Sequence, residues 1–530
     1  MSALDVLRQI KQARRAEQGQ VRVVEWGNAE YINAIGVDNL TRKELRNHLE
    51  ARDLDTSGTR LELLERLRAS LVDEQLHKFA YVETQDTEAA IEADLEERGS
   101  VYVTGANNKG QLGLGDKDPR RFFTAVRSLR GLSVVYVVCG QDLSYAVTGE
   151  HDVYVWGGAG SGRTGLNLAT MRRRPTEAEP VNNWMEPQIV ADLAGEEVSE
   201  IRVGSSHNIG VGRGGDCFVW GDSNAGQLGL GSLQNKPHVC MNNSFPAVLQ
   251  VSAGANHTAV LTKAGGVYMW GHGSCGRLGV GETDRHGVPE NEKHFFPVPV
   301  LLNTLEPIQE VSCGTDHTIA RGNAGVWVWG NGSGGKLGLG DNNNRMEPVL
   351  IPQLRARSIL QVAAGFWHSM AIVGYPPMMG GGWLYTWGSG YHGQLAQGSK
   401  VVSMVPEVVE HFVGVHLLVR QVCAGSHHCL AITEDHELYS WGSNNYGCLG
   451  RKIDEKDVIY SAIPGHVSGF GALVGRVGRG FARSVSCGRE FTVVATFPYE
   501  GPDNEVATKL MEEAKIREQE ALLSGARVDA

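Results

Sequence analysis

Short runs in which apolar residues alternate with small or polar ones recur between residues 101 and 497, and glycine-rich turns separate them. A period of two, with Val, Leu, Tyr and Trp bounded by Gly, predicts β-strands. In residues 257–271, HTAVLTKAGGVYMWG, two such runs flank Lys-Ala-Gly-Gly, which predicts an antiparallel hairpin. The pattern therefore predicts a mainly β protein built from hairpins.

Two phrases account for these runs, and each is written seven times. The first is a strand ending in Trp-Gly with a turn close to N-x-x-G-Q-L-G-x-G: VYVTGANNKGQLGLG from Val101, VYVWGGAGSGRTGLN from Val153, FVWGDSNAGQLGLG from Phe218, VYMWGHGSCGRLGVG from Val267, VWVWGNGSGGKLGLG from Val326, LYTWGSGYHGQLAQG from Leu384 and LYSWGSNNYGCLG from Leu438. The second is CGQDLSYAV from Cys139, VGSSHNIGV from Val203, AGANHTAVL from Ala253, CGTDHTIAR from Cys313, AGFWHSMAI from Ala364, AGSHHCLAI from Ala424 and CGREFTVVA from Cys487. A period of about 57 residues suits one supersecondary unit per repeat.

Each repeat offers about four short antiparallel strands, and one such sheet cannot cover both of its own faces. Packing seven sheets radially hides the faces, which predicts a seven-bladed β-propeller over residues 101–497. The first copy, at Val101, lacks the upstream strand of its hairpin, and the last phrase, at Phe491, lacks the downstream one. We therefore predict that these two segments pair and close the ring.

Together the two phrases resemble the regulator of chromosome condensation family. Thr104 departs from the pattern because the six other units have Trp there, and Arg163-Thr164-Gly165 replaces Gln-Leu-Gly in the second unit. The resemblance implies a propeller that binds protein partners. It also implies a specific activity found in the family, guanine-nucleotide exchange on the small GTPase Ran.

A leucine-rich segment precedes the repeats. Leucines recur at helical spacing on both sides of the turn Asp55-Thr56-Ser57-Gly58, which predicts a helix-turn-helix hairpin over residues 38–72. The hairpin resembles the SAP domain, which implies a role with DNA or RNA. Its candidate phosphate contacts are Arg42, Lys43, Arg46 and Arg60. Because residues 38–68 hold equal numbers of basic and acidic side chains, a protein-docking hairpin is the alternative.

The remaining segments are charged and predicted to be helical. Residues 1–37 are interpreted as an N-terminal helical extension, residues 73–100 as an acidic helical linker and residues 498–530 as a C-terminal helical tail. The apolar positions of the tail do not follow a heptad repeat, which disfavours a coiled coil.

Composition narrows the partners and the compartment. A formal net charge of −11 disfavours a surface that coats nucleic acid broadly, and the absence of a run of 18 apolar residues predicts no membrane partner. Nine cysteines without a CxxC pair favour a reducing compartment, the nucleus or the cytoplasm, with organellar targeting left open. Cys139, Cys313 and Cys487 share one repeat position and are predicted to be small buried apolar residues.

The repeats hold five histidines at one position: His207, His257, His317, His368 and His428. Catalysis needs one special geometry and not five equivalent copies, so we predict that the repeated His-Thr pair hydrogen-bonds backbone in each blade. No Ser-His-Asp, paired-carboxylate or P-loop spacing is present. The sequence therefore predicts no catalytic residue, no cofactor and no metal site.

The family resemblance also implies which residues would contact a GTPase, because exchange in this family uses acidic and polar loop residues of one propeller face. The matching loops place Asp142, Asn256 and Asp316 directly before the histidine position. The leading hypothesis is a non-catalytic scaffold, whose propeller binds a protein partner while the hairpin anchors the chain to nucleic acid or a larger assembly. The rival hypothesis is a nucleotide exchange factor for a Ran-like GTPase associated with chromatin.

Overall fold

The alternating runs form 28 strands in the part of the chain that the structure describes. This computed structural model describes residues 101–166, 183–281, 289–303, 305–374, 381–453, 459–470 and 481–497. The predicted N-terminal extension, hairpin, acidic linker and C-terminal tail lie outside the described residues. Among the described residues, no helix is long and apolar enough to cross a membrane.

The strands are short and follow one another in chain order. They are β1 Val101–Gly105, β2 Arg120–Ala125, β3 Val134–Cys139, β4 Leu143–Thr148, β5 Val153–Gly158, β6 Asn183–Ile189, β7 Val198–Val203, β8 His207–Gly212, β9 Cys217–Gly221, β10 Lys236–Met241, β11 Val248–Ala253, β12 His257–Thr262, β13 Val267–His272, β14 Phe295–Leu301, β15 Ile308–Cys313, β16 His317–Gly322, β17 Gly325–Gly330, β18 Arg345–Leu350, β19 Ile359–Ala364, β20 His368–Gly374, β21 Gly382–Ser389, β22 Val402–Val408, β23 Val419–Ala424, β24 His428–Thr433, β25 Leu438–Ser443, β26 Tyr460–His466, β27 Ala482–Cys487 and β28 Phe491–Thr496.

The helices described between the strands are all short. One is an α-helix, Glu410–Gly414, and the others are single 3-10 turns: Arg127–Leu129, Gly160–Gly162, Ala191–Leu193, Ser274–Gly276, Glu290–Glu292, Ser333–Gly335, Pro352–Leu354 and Asn445–Gly447.

Antiparallel pairing groups the strands in fours. Five sheets have four strands, and one eight-stranded sheet consists of two runs of four that a single residue pair, Gly382 with Val419, joins. We call each run of four a unit: unit 1 is β27, β28, β1 and β2, unit 2 is β3–β6, unit 3 is β7–β10, unit 4 is β11–β14, unit 5 is β15–β18, unit 6 is β19–β22 and unit 7 is β23–β26. Each unit contacts the next, and unit 7 contacts unit 1.

Unit 1 is assembled from both ends of the repeat region. β1 pairs antiparallel with β28 in a continuous register from Val101 opposite Ala495 to Gly105 opposite Phe491. This pairing confirms the predicted closure. It follows that backbone hydrogen bonds tie the first described residues to the last ones.

The hydrophobic core lies between units and not within them. Trp220 of unit 3 is fully buried in a cluster with Val155 and Leu143 of unit 2. A twisted four-stranded sheet has two apolar faces, so each face needs a neighbouring sheet to cover it. The tryptophans of the first phrase supply much of the apolar area at these contacts.

One prediction about the cysteines is wrong. Cys487 is buried as predicted, but it forms a disulfide with Cys423, with a Cα–Cα distance of 6.0 Å. The repeat equivalent of Cys487 in unit 7 is Ala424, and Cys423 lies one position before it. The neighbouring strands β23 and β27 therefore place the two cysteines side by side. Periodicity shows that Cys487 is equivalent to Cys139 and Cys313, which remain unpaired. It does not show which residues of an adjacent unit lie beside it.

Candidate functional site

The glycine-rich turn of one unit contacts the next unit through one carbonyl group. The carbonyl oxygen of Gln227 in unit 3 accepts hydrogen bonds from Trp270 Nε1 (2.9 Å) and from the Thr258 hydroxyl (2.7 Å), both in unit 4. The same arrangement joins Gln111 to Trp156 and Ser144, Lys336 to Trp387 and Ser369, and Gln394 to Trp441 and the Cys429 thiol. A buried indole N–H needs an acceptor, so the recurring Trp and the recurring turn are two halves of one contact.

The recurring histidines complete this contact from the preceding unit. Their Nε2 atoms approach the same hydroxyl or thiol groups: His207 to Thr258 (2.9 Å), His257 to Thr318 (3.1 Å), His317 to Ser369 (2.9 Å), His368 to Cys429 Sγ (3.0 Å) and His428 to Thr492 (3.0 Å). The prediction that the His-Thr pair bonds backbone is therefore confirmed for the hydroxyl and wrong for the histidine. The histidine bonds a side chain of the next unit, and that side chain bonds backbone.

The chain of hydrogen bonds fixes the histidine tautomer. Because the Thr258 hydroxyl donates its hydrogen to Gln227, it can only accept from His207, so Nε2 carries the proton. Nδ1 of His207 is then an unprotonated buried nitrogen with no hydrogen-bond partner among the described residues. Burial lowers the pKa of His207 to about 3, of His368 to about 3 and of His428 to about 4. It also lowers the pKa of His257 and of His317 well below the usual value.

Two junctions lack the histidine. Phe491 occupies its position at the junction from unit 1 to unit 2, and Leu143 occupies it at the junction from unit 2 to unit 3. Both side chains are fully buried. A buried apolar side chain thus replaces the histidine at these two junctions, while the turn carbonyls of Gln111 and Arg163 still accept hydrogen bonds from the next unit.

The three residues proposed for GTPase contact lie at one end of the sheets. Asp142, Asn256 and Asp316 each directly precede the first residue of a second strand, β4, β12 and β16. The Asp142 carboxylate forms an ion pair with Arg163, with 2.7 Å between Oδ1 and Nη1 and a second contact of 3.0 Å. The carbonyl oxygen of Asn256 accepts a hydrogen bond from the backbone N–H of His272.

Asp316 forms the corresponding ion pair with Lys336, whose Nζ lies 3.3 Å from Oδ1. Lys336 is fully buried, and its ammonium group also donates to the carbonyl oxygen of Ser333 (3.1 Å) and lies 5.0 Å from the ring centroid of Trp367. Burial lowers the pKa of Lys336, while Asp316 acts in the opposite direction. The carboxylate therefore neutralises a buried cation of its own chain.

The sequence contains a signal for these pairs. Arg163 and Lys336 occupy the Gln position of the Gln-Leu-Gly turn, and they occur in units 2 and 5, where Asp precedes the histidine position. Reading the two phrases together, unit by unit, would have matched the cation with the carboxylate.

The innermost strands surround an axial cavity of about 120 Å³. Seven glycines line it, one from each copy of the second phrase: Gly140, Gly204, Gly254, Gly314, Gly365, Gly425 and Gly488. Six of the residues that follow them, among which are Thr315, Phe366 and Arg489, also line the cavity. Asp142, Asn256 and Asp316 each follow a lining residue in the chain.

Replacement of Gly314 by alanine will destabilise the propeller by about 1–3 kcal/mol. The new Cβ would lie 2.4 Å from His317 Cε1 and 2.6 Å from the carbonyl oxygen of Gly365, and neither the buried ring nor the backbone can move aside. Gly414→Ala is the matched control, because nothing lies within 4 Å of its Cβ position. Urea denaturation measures both variants, and equal midpoints would contradict the expected crowding.

Partly buried carboxylates form a second set of contacts between units. Glu200 Oε2 accepts a hydrogen bond from the Val251 N–H (3.2 Å), and Glu310 Oε2 accepts one from the Val362 N–H (3.0 Å). Burial raises the pKa of Glu200 to about 8 and raises that of Glu310. Sequence analysis did not identify these residues, because they lie on inner strands outside both phrases.

The other predicted site residues lie beyond what the structure describes. Arg42, Lys43, Arg46 and Arg60 belong to residues 1–100, so their role as phosphate contacts stays a prediction. Within the described ranges, no group of three or more His, Cys, Asp or Glu side chains is placed to hold a metal ion.

The repeats and the hairpin each match a known family. Residues 231–494 match the RCC1-like domain, and residues 98–147 match the regulator of chromosome condensation (RCC1) repeat. Residues 36–72 match the SAP domain. The chain belongs to the regulator of chromosome condensation family. For this RCC1-family protein, the SAP match also confirms the resemblance predicted for the hairpin.

Known relatives cover different shares of this RCC1-family chain. The human E3 ubiquitin-protein ligase HERC2 is 30% identical over 71% of this chain, which spans 7% of that protein. The mitochondrial RCC1 domain-containing protein RUG3 of Arabidopsis thaliana is 30% identical over 65% of this chain, which spans 62% of that protein. The solved structure of yeast RCC1 (Prp20) bound to Kap60 covers 78% of this chain and 92% of its own, with a TM-score of 0.62 and 18% identity. At that identity the likeness to yeast RCC1 concerns the fold.

Proposed function

We propose that this protein is a non-catalytic interaction scaffold. Its propeller would bind a protein partner, and its SAP segment would anchor the chain to nucleic acid or to a larger assembly. One observation carries the proposal: the recurring polar groups already bond each other between units. At the junction between units 3 and 4, for example, His207 Nε2, the Thr258 hydroxyl, Trp270 Nε1 and the Gln227 carbonyl bond one another, which leaves the variable residues of the sheet ends for partners.

We also infer that the propeller has seven blades. Seven units of four strands, successive contacts between units and the β1–β28 pair support this number. A rigid ring of this kind holds its variable loops in fixed positions, which is the usual basis of partner binding by propellers.

We assign the protein to the nucleus or the cytoplasm. The SAP match and the family support this assignment. The mitochondrial relative RUG3 makes an organelle the alternative. Fluorescent tagging at the C-terminus, which keeps the N-terminus free, distinguishes the three compartments.

Affinity capture from the cell of origin tests the scaffold proposal. We expect the intact chain to retain a protein partner in near-stoichiometric amount, and a chain lacking residues 1–75 to retain the same partner without nucleic acid. Recovery of no protein with either chain, at physiological salt, would overturn the scaffold.

Charge reversal of the four candidate phosphate contacts will weaken nucleic-acid binding. We expect wild-type chain to bind duplex DNA in a gel shift at low salt, with an affinity that falls as salt rises. In the variant Arg42→Glu, Lys43→Glu, Arg46→Glu, Arg60→Glu, the salt slope should fall by about 0.9 per lost phosphate contact. Arg172→Glu, Arg173→Glu, Arg174→Glu is the control for general loss of positive charge. An unchanged slope in the first variant would favour the protein-docking alternative.

Nucleotide exchange on a Ran-like GTPase is the second candidate. The location of Asp142, Asn256 and Asp316 at one end of the sheets favours it, whereas the ion pairs of both carboxylates disfavour it. We expect no acceleration of labelled GDP release from Ran by the full chain. Acceleration that Asp316→Ala abolishes would support the rival function. Asp316→Ala with Lys336→Met is the required control, because the single change leaves a buried ammonium group unpaired.

A further inference from the structure

Units 6 and 7 expose aromatic side chains at one end of their sheets. Trp367, Tyr391 and Tyr446 are 41%, 65% and 56% exposed. Trp367 immediately precedes β20 and Tyr391 follows β21, and the register pairs the start of β20 with the end of β21. Tyr446 follows β25, whose end pairs with the start of β24 in the same way. We call these three side chains the aromatic patch.

Two histidines connect the aromatic patch across the junction between units 6 and 7. The rings of His392, next to Tyr391, and His427, directly before β24, lie 4.4 Å apart between centroids. Burial lowers the pKa of His427 to about 4, with smaller effects of His392 and Arg489. The histidines are therefore neutral at physiological pH, and they extend the patch toward the axial cavity as an uncharged surface.

The aromatic patch is specific to units 6 and 7, because its residues are not shared by the other repeats. At the turn position of Tyr391 the other units have small or polar residues: Asn108, Gly160, Asn224, Ser274, Ser333 and Asn445. Two aliphatic side chains, Val401 and Ile459, are exposed beside the first residues of β22 and β26 at the same sheet end. Exposed apolar side chains that are grouped at one end of adjacent sheets are typical of an interaction site.

Charge beside the patch indicates the chemistry of the partner. Arg489 is exposed at the cavity, and it has no hydrogen bond or ion pair with any other described residue. Lys400 is also exposed, and its Nζ lies 3.8 Å from the ring centroid of Tyr460. Glu490 is the one carboxylate adjacent to Arg489 in the chain. A partner with a carboxylate near an apolar side chain would satisfy both Arg489 and the aromatic rings.

We propose that the aromatic patch with Arg489 binds a segment of another protein in which an aromatic or aliphatic residue lies close to Asp or Glu. The inference rests on the proposed scaffold function and names the chemistry of its partner. Trp, Tyr and Arg are the residues that dominate binding energy at protein interfaces. Single-stranded nucleic acid also stacks on aromatic rings, but it requires a cationic groove, and this patch combines neutral histidines with a protein of net charge −11.

A peptide-display experiment on the full chain tests this inference. Phage that display random 12-residue peptides are selected on the immobilised chain, and enriched peptides are synthesised for fluorescence anisotropy. We expect enriched sequences with an aromatic or aliphatic residue within a few positions of Asp or Glu. Tyr391→Ala should weaken their binding about tenfold or more, and Asn224→Ala, at the equivalent turn position of unit 3, should leave it unchanged. Arg489→Glu should shift the selected sequences from acidic to basic.

The outcomes separate this inference from the scaffold function. Enriched peptides that tolerate Tyr391→Ala and Arg489→Glu would overturn the inference and leave the scaffold intact, since another surface would then bind them. If no peptide is enriched but affinity capture still recovers a partner, the inference is also overturned and the scaffold function stands. If Tyr391→Ala weakens binding of a fluorescein-labelled oligothymidine more than that of any peptide, the patch is a nucleic-acid surface and the inference is wrong.

Discussion

Acidification from pH 7.5 to pH 5 will destabilise the propeller, with a loss of about 1.4 kcal/mol per pH unit for each proton that unfolding takes up. Five buried histidines have folded-state pKa values below the unfolded value of 6.5. At pH values between the folded-state pKa and the unfolded-state pKa of these histidines, the unfolded chain binds more protons than the folded chain. The free energy of unfolding therefore falls as the pH falls through 6.5. Glu200 and Glu310 act oppositely, because their raised pKa values make folding take up protons. Since the buried histidines outnumber these two glutamates, unfolding takes up protons and the histidines set the direction of the pH dependence.

Urea denaturation monitored by tryptophan fluorescence between pH 7.5 and pH 5 measures this slope. His317→Gln should lower it by about one proton, or about 1.4 kcal/mol per pH unit. His238→Gln is the control, because that side chain is exposed and should leave the slope unchanged. A stability that stays constant or rises on acidification would show that the buried histidines are protonated in the folded protein.

Removal of β28 will abolish cooperative folding of the propeller. A chain that ends at residue 490 loses the strand between β27 and β1 and with it Phe491, Val493 and Val494, all fully buried. Each such side chain contributes about 1.5–3 kcal/mol, and the strand also supplies Thr492, the acceptor for His428. The loss approaches the whole stability of a typical domain.

A chain that ends at residue 497 is the matched control, because it keeps every described strand. Differential scanning calorimetry of the two chains should show a single cooperative transition for the longer one and none for the shorter one. A cooperative transition in the shorter chain would mean that the ring does not depend on its closing strand.

The sequence predicted the architecture well because the relevant signals are local and repeated. Alternation and glycine turns identify strands, and the missing hairpin partners at Val101 and Phe491 predict the closing pair that the structure contains. The fold of the segments outside the described residues stays a prediction. For the SAP segment, the family match supports the predicted identity.

The contacts between units could not be predicted from local, repeated sequence signals. His207 and Thr258 are 51 residues apart, and Cys423 and Cys487 are 64 residues apart, so each contact spans about one repeat. Periodicity shows which positions are equivalent, but it does not show which face of one sheet meets the next. Glu200 was missed for the same reason, since its acceptor role depends on the approach of Val251 from another unit.

The two junctions without histidine adjoin each other in the ring, and this arrangement divides the molecule by its response to acid. Phe491 and Leu143 hold units 1, 2 and 3 together through apolar contacts, whereas protonation weakens each of the five other junctions. Units 1 to 3 therefore form a contiguous acid-resistant block. In amide hydrogen exchange at mildly acidic pH, β4 and β5, whose unit has no histidine at either junction, should be the slowest strands, and local opening should begin on the opposite side of the ring.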